Sequence, residues 1–261
     1  MKIIVLLKQT PDTETKITLS SDNSAVDNSG SKFIINPYDE FAIEEAIQIK
    51  EKAGDSEVVV VSFGNDSCKE LIVKALAMGA DRGLLISNSG LENADSLTVA
   101  KVLAGACKDE GADIVIGGKQ AIDDDNMSAL VMTSELLGWP HVNVVTKLEL
   151  DGTNAKVERE VEGGKVEVYE VSLPAVFGAH KSLNSPRYAS LPGIMKAKRK
   201  PFDSKTPSDI GVDPGSLTSH TKITGYSYPP EKPAGKMFQG EDVAVMADKV
   251  VKLLREEAKV L

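Results

Sequence analysis

Three carboxylates stand side by side in "ADIVIGGKQAIDDDNMSALVM", residues 112–132: Asp123, Asp124 and Asp125. Such a run invites three chemistries: a metal cage, a magnesium–phosphate site, or the start of a helix. Consecutive side chains diverge around a helix and alternate across a strand, so three in a row do not converge on one ion. A magnesium-bound phosphate would want a phosphate loop. Gly117-Gly118-Lys119 resembles the end of one, but residue 120 is Gln where Ser or Thr is required, and the first Gly is misplaced. What remains is a strand–loop–helix junction that follows the buried run Ile114-Val115-Ile116. Acids near a helix start cap amides and complement the helix dipole. Free amides around Asn126, Met127, Ser128 and Ala129 are available to an anion. Capping alone, and capping combined with a nucleotide phosphate, both fit.

Two more stretches could contribute to a site. In "INPYDEFAIEEA", Asn36 before Pro37 is a helix-start signal, Asn as N-cap and Pro as the first helical residue. It reads either as a cap alone or as one wall, Asn36 to Asp39, of the crevice that holds the Asp loop. Ser62-Phe63-Gly64, at the end of a long apolar run, could add a third wall, with Phe63 as core or as an aromatic against a base. A third stretch, "LNSPRYASLPGIMKAKRK", has Leu191 at a Pro- and Gly-bounded tip, then Ile194 and Met195, then Lys196, Lys198, Arg199 and Lys200. An apolar tip beside cations suits docking on an acidic partner; a solvated basic helix end over a local core is the plainer alternative. No nucleophile–base pairing suggests catalysis. Cys68 and Cys107 are 39 residues apart without a CxxC and read as reduced, buried thiols. His141, His180 and His220 lack ligand spacing.

The elements that must position these residues follow from hydrophobic periodicity. Apolar, largely β-branched runs at 3–7, 58–61, 84–86, 114–116 and 144–145 read as strands buried on both faces. Helical stripes lie between them: Ile43, Ala46 and Ile47; Leu71, Ala75 and Met78, stopping at Gly79; and Val99, Val102, Leu103 and Ala106. This alternation predicts an α/β fold with a doubly wound, mostly parallel sheet, whose ligands bind beyond the carboxyl ends of the strands. From 147 to 179, Asp151-Gly152 and Gly163-Gly164 separate alternating segments that read as antiparallel hairpins. Residues 201–240, rich in Pro, Ser, Gly and Lys, read as an extended arm, and a last helix is expected from about Glu241 to Lys259. The organisation expected is a nucleotide-binding domain over 1–200, with its docking loop near 183–200, followed by an arm and helix over 201–261. The net charge of −9 argues against a nucleic-acid partner. No run approaches the roughly 18 apolar residues of a membrane span, so a cytoplasmic protein is expected.

Together these stretches resemble the beta subunit of electron-transfer flavoprotein. "VLLKQTPD", "INPYDEFAIEEAIQIKE", "ALAMGADRG", "GGKQAIDDD", "VEREVEGG", "LPAVFGA" and "LNSPRYASLPGIMKAKRK" occur in that family's order and spacing over nearly the whole chain. The resemblance implies an adenine-nucleotide-binding α/β fold and a heterodimer with an alpha subunit that carries the redox FAD. It implies a structural AMP in this chain, or a second FAD near an NADH site in electron-bifurcating members. Electrons would pass from acyl-CoA-type dehydrogenases to a quinone oxidoreductase and the quinone pool, the chain being a carrier subunit rather than an enzyme. Carried over by motif, the nucleotide site comprises Leu6, Asn36, Pro37, Tyr38, Asp39 and Phe63. It continues along the loop through Gly118, Lys119, Gln120, Ala121, Ile122, Asp123, Asp124, Asp125, Asn126, Met127, Ser128 and Ala129. Leu191 matches the family's anchor for partner dehydrogenases, and Lys196 a lysine beside it. The chain departs from the conventional pattern at Met127-Ser128-Ala129, where Asn-Gln-Thr is usual, and at Thr13, where many members have Tyr. "KQTPDT" resembles bifurcating members, whereas Asp123-Asp124-Asp125 and "PYDEFAIEEA" lean to the conventional class.

Overall fold

The computed structural model describes residues 1–232 and 234–261, so residue 233 of the expected arm lies outside the described residues. Nine strands form one sheet; in chain order they are β1 (Lys2–Leu6), β2 (Glu57–Gly64), β3 (Arg82–Ser87), β4 (Ile114–Gly118), β5 (His141–Asp151), β6 (Asn154–Val161), β7 (Lys165–Ser172), β8 (Ala175–Ala179) and β9 (Phe202–Lys205). Their order across the sheet is β7-β6-β5-β8-β4-β1-β2-β3-β9. Pairing is parallel from β5 through β9 and antiparallel for β5 with β6 and β6 with β7. The chain runs from β1 outward through β2 and β3, then returns to β4 on the opposite side of β1. The switch point of the winding therefore lies at the carboxyl ends of β1 and β4, where such sheets leave a crevice.

The period of two within β1 assigns the faces. Ile3 and Val5 join a core with α1 (Pro37–Ala53) and α2 (Cys68–Met78), through Ile43, Ala46, Leu71 and Ile72. Ile4 and Leu6 join the opposite core with α3 (Ser96–Glu110) and α4 (Ala129–Leu137), through Val102, Leu103, Ala106 and Leu130. Helices on both faces explain why the central strands are apolar throughout rather than alternating. The expected doubly wound α/β fold is the observed one. The Gly turns are as expected too, with φ of 58° at Gly152, 76° at Gly163 and 71° at Gly164.

Three segments differ from the sequence expectation. "AVFGA" closes no hairpin: β8 inserts between β5 and β4 as a fully buried parallel strand. Its partners lie 30 and more residues upstream, and all five residues are buried, which a solvent-faced hairpin strand would not be. The arm is not wholly extended either. Its first residues form β9, which covers the sheet edge beside β3. The last helix, α6, is shorter than expected, Val243–Glu256, and starts where the Asp242 carboxylate accepts the amide of Ala244 at 2.9 Å. None of its residues is buried. Among the described residues no helix is long and apolar enough to cross a membrane.

Close approach of β8 to β5 depends on Gly178. A Cβ there would lie 1.8 Å from Asn143 Oδ1 and 2.8 Å from its Cγ. Asn143 is itself committed, its amide nitrogen donating to the Lys119 carbonyl at 3.3 Å. Gly178→Ala is expected to lower stability by roughly 1–3 kcal/mol, as overpacking does, measured as a shifted urea midpoint at unchanged slope.

Candidate functional site

The site is built around one buried carboxylate. Asp39, in the first turn of α1, is 4 % exposed. Its Oδ2 accepts the amide of Lys8, just beyond β1, at 2.7 Å. Its Oδ1 accepts the amide of Gly118, the last residue of β4, at 2.8 Å and the Asn36 side-chain amide at 3.0 Å. Burial raises the Asp39 pKa to about 7 against the pull of these donors. Gly118 is required by this approach, because a Cβ there would sit 2.5 Å from Asp39 Oδ1 and 2.9 Å from the backbone of Tyr38.

Asn36 extends the same device. It precedes Pro37 as expected, but its side chain caps no amide of α1. Instead it donates to the Gln120 carbonyl at 2.9 Å and accepts the Ile122 amide at 3.3 Å. Asn36 is the N-cap residue as expected, but only through its backbone: its carbonyl accepts the Asp39 amide at 2.8 Å, which leaves the side chain to cross to the loop. The loop is held from its other side by β8, whose Ala179 carbonyl accepts the Lys119 amide at 2.9 Å.

The three acids stand well before the first turn of α4, and their partners are elsewhere. Lys8 Nζ donates to Asp123 at 2.8 Å and Asp124 at 3.1 Å. Burial, which alone would lower the Lys8 pKa, is outweighed by these two carboxylates, so it is raised. Asp124 also accepts the Asn126 amide at 3.3 Å, and Asp125 accepts from the Gln120 side chain at 2.5 Å. The loop is tightly wound: Asp125 and Met127 both take the left-handed conformation, with φ of 50° and 55°. No side chain caps α4, so the amides of its first turn lack the partner such caps supply.

Above this frame lies a cavity of about 720 Å³. Leu6, Asn36, Asp39, Phe63, Gly118, Lys119, Gln120, Ala121, Asp123, Asp124, Asn126, Met127, Ser128 and Ala129 all line it. Pro37, Tyr38, Ile122 and Asp125 do not line it; Ile122 bonds to Asn36, Asp125 bonds within the loop, and the Tyr38 ring lies 5.2 Å from Lys119 Nζ. One wall is apolar, from Leu6, Phe63, Leu91, Val99 and Leu103. Leu191 and Lys196 line no part of the cavity. They belong to α5 (Leu191–Ala197), which packs on α2 so closely that a Cβ on Gly193 would meet the Ala77 carbonyl at 2.4 Å. Among the described residues no group of three or more His, Cys, Asp or Glu is arranged to hold a metal.

Some lining residues were not anticipated from sequence. Lys8 was legible, as a cation at the end of a buried strand. Asp95 caps α3, accepting the Thr98 amide at 2.9 Å, and receives the His220 amide at 2.6 Å. Burial would raise its pKa, but the donors from Thr98 and His220 bring it to about 2. Through that bond the arm crosses the cavity, which Thr221, Ile223 and Tyr226 roof. The arm carries no period or motif that would have announced this.

The family "Electron transfer flavoprotein domain" matches residues 24–210. Electron transfer flavoprotein subunit beta of Bacillus subtilis (strain 168) is 43 % identical over 262 residues, 100 % of both chains. The subunit of that name from Syntrophomonas wolfei is 42 % identical over 260 residues, 100 % of this chain and 98 % of its own. The one from Homo sapiens is 42 % identical over 246 residues, 93 % and 95 %.

Asp39→Asn turns one acceptor into a donor facing a buried amide. It is expected to cost about 1–3 kcal/mol, read by chemical denaturation. The pH dependence has a definite sign. The unfolded carboxyl titrates near 3.8 and the folded one near 7, so between them the folded state holds the extra proton. Its contribution therefore declines as pH rises from about 4 to about 7. The stability difference between the parent and Asp39→Asn should shrink over that window.

Proposed function

The chain belongs to the electron transfer flavoprotein beta subunits, and from that membership we propose that it holds AMP in the cavity over β1 and β4. It acts as the beta half of a cytoplasmic heterodimer whose alpha subunit carries the redox FAD. Electrons arrive from acyl-CoA-type dehydrogenases and leave to a quinone oxidoreductase.

The observation that carries this reading is the cradle itself. Asn36 and Asp39 hold the 118–122 backbone open at the switch point, beside an α4 start that no side chain caps. The uncapped turn offers amides and a positive dipole end to a phosphate. Of the amides expected to be free, those of Asn126 and Ser128 are taken by the Asp124 and Asn126 side chains at 3.3 and 3.0 Å, so the donors left to a phosphate are those of Met127 and of the first turn of α4. Ser128 Oγ donates to the Asn126 carbonyl at 2.8 Å, which tightens the loop. The apolar wall of Leu6, Phe63, Val99 and Leu103 suits a purine face. A cavity of about 720 Å³ is within the range of small-ligand sites. AMP brings no redox chemistry; it fills and braces this crevice, while the flavin of the alpha subunit carries the electrons.

A second reading has its own observation. The cavity is also lined by Gln9, Val26, Asn65, Ile223 and Tyr226, which belong neither to the cradle nor to its apolar wall. That extension favours a larger dinucleotide, a second FAD with NADH oxidation beside it. Acid extraction of the purified heterodimer decides between them. One FAD and one AMP per heterodimer is the expected result; two FAD, with flavin bleaching by NADH, would establish the second reading instead.

Docking of the dehydrogenase is assigned to α5 and the turn before it. Leu191 is 79 % exposed and Met195 76 %, with Lys196 alongside. Apolar side chains standing free at a tip suit an anchor that fills a partner's pocket. Leu191→Ala is expected to raise the KM for the heterodimer as electron acceptor about tenfold, equivalent to about 1.4 kcal/mol, with AMP content unchanged. Unaltered kinetics would remove the anchor assignment.

A further inference from the structure

The stretch that carries Leu191 has little core of its own. Tyr188 is 98 % exposed, Leu191 79 % and Met195 76 %. At its far end it is fixed by the Gly193–Ala77 contact and by Lys200, whose Nζ donates to the Leu76 carbonyl at 2.9 Å. At its near end it is fixed by two side chains, Asn184 and Arg187. The Arg187 guanidinium meets Glu44 of α1 through Nε at 2.8 Å and Nη2 at 3.0 Å. It meets Glu51, two turns further along α1, through Nη1 at 2.6 Å and Nη2 at 3.0 Å. The Arg187 backbone amide also donates to Glu44, at 3.1 Å.

The two carboxylates differ in setting. The Glu44 side chain is 4 % exposed, the Glu51 side chain 55 %. Glu44 is oriented from the other side by Gln48, at 2.9 Å. Three residues before Arg187, the Asn184 side chain donates to the Phe41 carbonyl and to Glu45, both at 3.0 Å. A planar fork spanning two carboxylates fixes direction as well as distance, which an ammonium does not.

We propose that Arg187 is a positioning residue for partner docking: by forking onto Glu44 and Glu51 it fixes the path of 188–195 so that Leu191 stands in its docking arrangement. The proposal rests on the docking reading given above. Tyr188 follows Arg187 directly and is exposed at once, and the small Ala189 packs partly on the core before Ser190 opens α5, so the clamp is the last charged anchor before the exposed side chains. Holding it costs no apolar burial, which leaves Tyr188, Leu191 and Met195 free for a partner.

The test uses the complete heterodimer, with an acyl-CoA dehydrogenase reduced by its acyl-CoA substrate as donor. Arg187→Lys keeps the charge beside buried Glu44 but loses the fork. Glu51→Gln loosens only the exposed half of the clamp. The expected result is a KM for the heterodimer raised about tenfold in Arg187→Lys and about threefold in Glu51→Gln, with kcat and extracted nucleotide unchanged. Amide hydrogen exchange over 188–197 should quicken in both variants while α1 stays protected. Faster exchange at unchanged KM would make the clamp merely structural and overturn the proposal, as would no change in either. Leu191→Ala runs alongside. If it raises KM and the clamp variants do not, the positioning role fails and docking stands. If it leaves KM unchanged, the docking reading fails and takes the proposal with it.

Discussion

Everything at the site depends on the Asp39 carboxylate, which ties together three pieces of chain that the sheet alone would leave apart. Parallel strands β1 and β4 pair from Ile3 with Ile114 to Val5 with Ile116, and the winding reverses just beyond. Asp39 takes the Lys8 amide from one end and the Gly118 amide from the other. A buried charge without donors is expelled or neutralised; this one has donors from both strand ends and from Asn36. The same arrangement dictates glycine at 118, because any side chain would stand in the carboxylate's place.

With the strand ends fixed, the loop after β4 has little freedom. Asn36 pins its middle, β8 pins its start, and Lys8 pins the acids at its far side. The left-handed residues Asp125 and Met127 are tolerated because the flanking backbone is so constrained. Two of the acids that looked like a chemical centre, Asp123 and Asp124, thus share the protein's own lysine, which offsets part of their charge. Carboxylates left unpaired beside an anion site would repel the anion; paired to Lys8, Asp123 and Asp124 shape the loop with that repulsion reduced.

Much of this was legible in the sequence, and the illegible parts share a cause. β-branched runs alternating with helical stripes predict the winding, and the winding predicts where the crevice lies. Asn36-Pro37 correctly marks the start of α1. What the residues did not disclose is which distant groups meet. The partner of Asp123 is 115 residues away, and nothing local to either residue announces it. "AVFGA" would be equally apolar as a hairpin strand or as the centre of a parallel sheet, and only its distant partners separate the two. "FDSK" has no period at all, yet it completes the sheet edge, because an edge strand need satisfy only one neighbour.

Helix α1 connects the cavity to the exposed stretch 188–195 without either depending on an apolar contact with the other. Its first turn carries Asp39 into the cradle at the cavity floor, its middle carries Glu44 to Arg187, and its last turn carries Glu51 to the same guanidinium. An α-helix is stiff over such a length, so the two ends keep a fixed relation as long as the helix stays packed on β1 and β4. Ile43, Ala46 and Ile47, all buried, secure that packing. On the proposed reading this gives the bound nucleotide a purpose without redox chemistry. A ligand that binds only the folded cradle stabilises it by mass action, and the element so stabilised is the one from which the partner-facing stretch is suspended.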